Sequence, residues 1–69
     1  MNANQKIVER QEFGAEDGAR ALGEMLDEMM YAPKGTYTSA QKVAVAEAAE
    51  ALQQASIICS AAYDALGVK

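Results

Sequence analysis

From residue 38 onward the larger apolar side chains recur every seven positions, as Val45, Leu52, Cys59 and Leu66. Ala48, Ala55 and Ala62 occupy the intervening heptad position, and Ala44, Ala51, Ile58 and Ala65 flank the seam. Spacings of three and four residues place side chains on one face of an α-helix. Thr38-Ser39-Ala40-Gln41 has the form of a capping box: the threonine hydroxyl accepts from the Gln41 amide and the glutamine side chain reaches back. Gly67 stands where a left-handed C-terminal cap is expected. The pattern predicts about 28 residues of helix, roughly 42 Å long.

The first half of the chain carries the same period. Val8, Ala15, Leu22 and Met29 are seven apart, Gln11, Gly18 and Met25 hold the second position, and Glu12, Ala19 and Leu26 flank it. Gly14, Gly18 and Gly23 interrupt the pattern, each weakening a helix interior by roughly 1 kcal/mol relative to alanine. Two readings follow. One is a single long helix whose glycines permit close contact, and it is the favoured one. The other breaks the helix near Gly14 and restarts it at Glu16-Asp17, two acids that suit a helix N-terminus. Between the halves lies Ala32-Pro33-Lys34-Gly35-Thr36, where proline disfavours helix at the preceding residue and glycine supports a turn. The expected architecture is all-α. It is one domain over residues 1–69, an antiparallel hairpin with helices at about 2–31 and 38–66 and a turn at 32–37.

Composition changes this picture in one respect. Apolar residues make up 51% of the 69 positions, but 15 of them are alanine, and Leu, Ile, Val and Phe together number 12. A chain this short buries only about 60% of its unfolded surface, so its core is marginal without a staple or a partner. One cysteine and no histidine leave neither an intrachain disulfide nor a Cys/His zinc site. Alanine at every seventh position instead allows close helix approach. A homodimer, two hairpins closing into a four-helix bundle, is the expected stabilising device. Val8, Ala15, Leu22, Met25, Met29, Val45, Ala48, Leu52, Ala55, Cys59, Ala62 and Leu66 are the expected core and dimer seam.

Several function classes drop out. No apolar run approaches the roughly 20 residues of a membrane span. The N-terminal residues lack the apolar core of a signal peptide, so a cytoplasmic location is expected. Six basic residues against ten acidic ones disfavour nucleic-acid binding, which needs a basic patch. Lys6, Arg10 and Arg20 make only a sparse stripe for the alternative, a plasmid-control type of helical dimer that binds RNA. Cys59 has no histidine to activate it and sits on the seam, as a structural thiol would. Glu24, Asp27 and Glu28 lie on a helix surface with no cleft around them. No catalytic residue, metal site or cofactor is expected.

What remains is protein binding, with a purely structural bundle as the bland reading. Met25, Leu26, Met29, Met30 and Tyr31 form an apolar run before the turn, and methionine adapts to differently shaped partners. Phe13, Met30, Tyr31, Tyr37, Ile57 and Tyr63 fall off the seam and are the candidate binding residues. Residues 1–33 hold seven acids and three bases, whereas residues 34–69 hold three of each. The first helix therefore carries the acidic surface, either an ordinary solvated face or a dock for a basic partner.

The short length, the acidic alanine-rich hairpin and the lack of catalytic residues resemble small bacteriophage proteins that inactivate host regulators, quorum-sensing anti-activators in particular. The resemblance is one of size and topology and carries over no functional residues. It implies a non-enzymatic inhibitor that binds a LuxR-type transcriptional activator in a bacterial host, with a pilus-assembly ATPase as a second implied target.

Overall fold

The computed structural model describes residues 2–68 as two α-helices, α1 (Ala3–Tyr31) and α2 (Ser39–Gly67). They pack antiparallel as a hairpin 55 Å long, 14 Å wide and 11 Å deep. Both helices start with a capping box. At α2 the Gln41 amide donates to Thr38 Oγ1 at 3.1 Å and the Thr38 amide donates to Gln41 Oε1 at 2.8 Å, as expected from that tetrapeptide. At α1 Asn2 and Gln5 do the same, at 2.8 and 2.9 Å. The Asn-x-x-Gln spacing of residues 2 to 5 was the available signal for this cap.

The turn is built as its residues suggest. The Pro33 carbonyl accepts from the Thr36 amide at 3.0 Å and from its hydroxyl at 2.7 Å. Gly35 has a φ of +90°, a conformation that disfavours residues with a Cβ. Helix α1 runs unbroken through Gly14, Gly18 and Gly23, which decides between the two readings of that segment. Gly18 is there for contact: a Cβ on it would lie 2.9 Å from the Leu52 Cδ1. Gly67 corrects the sequence expectation. It lies inside α2, not in a left-handed cap, and the chain leaves the helix through Val68 in an extended conformation. The space over Gly67 is taken by the Gln5 carboxamide, which a Cβ would meet at 2.6 Å.

The core is thin. Ala15, Met29, Ala49 and Gln5 are the buried side chains, and among the described residues no large side chain is fully enclosed. Of the expected seam, Ala15 and Met29 are buried, and Val8, Leu22, Val45, Leu52, Ala55, Cys59 and Ala62 are half-buried. Met25, Ala48 and Leu66 are instead exposed in the single hairpin. The helices are rotated about their axes toward one side. On that side Gln5, Glu12, Ala19 and Leu26 of α1 and Lys42, Ala49, Ser56 and Tyr63 of α2 are all buried or half-buried. The opposite flank, with Met25 and Ala48, opens to solvent.

Candidate protein-binding surfaces

Two shallow grooves follow from this rotation, one on each broad side. The first, of about 560 Å³, lies between Ala19 and Gly23 of α1 and Gln53 and Ile57 of α2. It is a charged groove. Glu16 and Arg20 line it, and Glu16 accepts from the Ser56 hydroxyl at 3.3 Å across the hairpin. Arg20 also approaches Asp17 at 3.9 Å, an exposed pair that adds little stability. The second groove, of about 310 Å³, lies near the turn between Met25 and Met29 of α1 and Ala44 and Val45 of α2, closed at its end by Tyr37 and Gln41. No charged side chain lines it.

The six candidate binding residues do not form one patch. Met30 and Tyr31 are consecutive on the last turn of α1, about 100° apart around its axis, and are 71% and 89% exposed. Tyr37 lies across the turn, its ring partly packed along the second groove. Ile57 is exposed but belongs to the first groove. Phe13 is exposed on α1, remote from the turn. Tyr63 is only half-buried, and its backbone carbonyl accepts a bond from Gln5 at the open end of the hairpin. Met30, Tyr31 and Tyr37 thus all lie at the turn end of the hairpin, and Tyr37 shares the second groove with Met25.

The acidic residues Glu24, Asp27 and Glu28 are exposed on α1 near the same end. Among the described residues no group of three histidine, cysteine or acidic side chains is placed to hold a metal ion, and no helix is long and apolar enough to cross a membrane. Cys59 is a free, half-buried thiol on the seam. The side chain that sequence reasoning missed is Gln5, a polar residue that the heptad pattern assigned to neither core nor surface. Compared with known proteins, the chain matches no family model, no curated protein and no solved structure.

Proposed function

We propose that the protein acts by binding another protein, as a non-enzymatic inhibitor of a regulator in the cytoplasm of a bacterial host. The observation that carries this reading is the turn end. Two large adjacent apolar side chains, Met30 and Tyr31, project from the last turn of α1 with most of their surface in water. Their burial does nothing for the hairpin, and each would contribute on the order of 1–3 kcal/mol if a partner covered it. Methionine and tyrosine are the residue types suited to such a contact, one by flexibility and one by its rigid ring with a polar tip. The resemblance to phage anti-activators supplies the partner class, a LuxR-type transcriptional activator.

Titration calorimetry of the hairpin against a purified LuxR-type activator, paired with operator-DNA release, tests this. Saturable binding that displaces the DNA and is weakened at least tenfold by Met30→Ala with Tyr31→Ala is expected. No binding would overturn the partner class. Binding untouched by the double substitution would move the contact away from the turn end.

A further inference from the structure

We propose that a second copy of the hairpin covers its less charged broad side, the side of Gly14 and Ala51, with the two turns at opposite ends of a four-helix bundle. The first support is size. The radius of gyration is 15.8 Å, where a compact domain of this length has about 11 Å. The accessible surface is 5199 Å², where a compact monomer of this mass exposes about 4,200 Å². The hairpin carries surface that a partner would normally cover. One broad side measures 55 by 14 Å, an area of roughly 800 Å², which is what each partner contributes to a standard stable interface.

The two broad sides differ in chemistry. On one, Glu16 and Arg20 line the charged groove, and Glu9, Glu12 and Lys42 carry further charge along the same side. On the other, the α1 stripe is Ile7, Gln11, Gly14, Ala21 and Met25, with Glu28 at its end as the one charge. The α2 stripe beside it is Ala44, Ala48, Ala51, Ile58 and Ala65. Ile7, Met25 and Ile58 are all more than two-fifths exposed there.

The order of residues fits a two-fold axis, in which residue i meets j and j meets i. Run two copies of α1 antiparallel about the midpoint of Gly14 and Gly18. Then Gly14 stands opposite Gly18, Ile7 opposite Met25, and Asn4 opposite Glu28. Run α2 about the midpoint of Ala51 and Ala55, and Ile58 stands opposite Ala48. Both midpoints lie at nearly one height, because Gly18 packs on Leu52 across the hairpin. The groove between Met25 and Ala44 then receives Ile7 of the second copy. In this arrangement Arg10, at the rim near the open end, comes beside Glu24 of the other copy, whereas turns at the same end would lay α1 over α2 and part the two. Met30 and Tyr31 stay outside the interface in this bundle, once at each end.

Sedimentation equilibrium at micromolar concentration should give twice the 7.3 kDa chain mass. Ala51→Glu should raise the dissociation constant on the order of a hundredfold or more, since it desolvates paired carboxylates. Ala46→Glu, on the charged side, should leave the dimer intact. A Cys59→Ser, Lys34→Cys variant carrying spin labels should show an interlabel distance close to the 55 Å length of the hairpin. A folded wild-type monomer overturns the proposal. So does a dimer that Ala51→Glu leaves intact, or one that Ala46→Glu breaks equally. An interlabel distance under half the hairpin length overturns the opposed turns. Loss of the dimer in Ala51→Glu alone supports the assigned face, whether the freed chain stays folded or not.

Discussion

Gln5 and Tyr63 lock the open end of the hairpin: the Gln5 Nε2 donates to the Tyr63 carbonyl at 3.2 Å. The same Gln5 side chain uses its oxygen to accept from the Asn2 amide and so completes the α1 capping box. Asn2 is paired with it in both directions, and its Nδ2 donates to the Leu66 carbonyl at 3.1 Å. Leu66 carries one of the last-turn carbonyls that find no partner inside their own helix. One pair of side chains thus caps the start of α1 and the end of α2 together.

Gln5→Ala should therefore cost more than an ordinary cap. Loss of the box and of the cross-helix bond together predicts a destabilisation of about 1.5–3 kcal/mol. Gln5→Glu keeps the acceptor for Asn2 but cannot donate to Tyr63, and sets a negative charge at the α2 C-terminus. It should be clearly less stable than the wild type. Urea unfolding at one fixed protein concentration checks both.

The glycines of α1 should respond differently to alanine. Gly23→Ala meets nothing within 4 Å and should stabilise the helix by up to about 1 kcal/mol. Gly18→Ala gains the same propensity but pushes its Cβ onto the Leu52 Cδ1, so it should be neutral or destabilising. A larger gain in thermal midpoint for Gly18→Ala than for Gly23→Ala would contradict the notch.

Leu52→Asp should unfold the chain. Leu52 is half-buried at the centre of α2, and an aspartate there would place an unpaired charge between the helices. Loss of the helical circular dichroism signal at neutral pH is the expected readout.

Gly35→Ala tests the turn. At a φ of +90° an added Cβ is strained, and a loss of about 1 kcal/mol is expected. The helices themselves should keep their amide-exchange protection, because the caps at Thr38 and Gln41 do not depend on Gly35.

Met30→Ala should leave stability within about 0.5 kcal/mol of wild type, as for an exposed residue without special contacts. Tyr37→Ala should cost somewhat more, since its ring lines the groove beside Met25. Both should weaken partner binding. Unfolding by either substitution would assign that residue to the core instead of the binding surface.

The local features of this protein were legible in its sequence because they act over three or four residues. Proline and glycine at 33 and 35 specify the turn, Thr38 and Gln41 specify the α2 start, and the heptad spacing specifies two long helices. The seam was legible as a line through Val8, Leu22, Leu52 and Cys59, but not the side toward which it closes. That choice depends on how summed side-chain volumes fit across two helices. It buried Ala49 and left Ala48 and Met25 in water. The same rotation set Gly67 under the Gln5 carboxamide, so that a residue expected to end a helix instead makes room for a side chain 62 positions away. Sequence alone thus determined the two helices, the turn between them and the start of α2. Only the tertiary structure decided which faces meet, because a helix can turn about its axis without disturbing any of its local bonds.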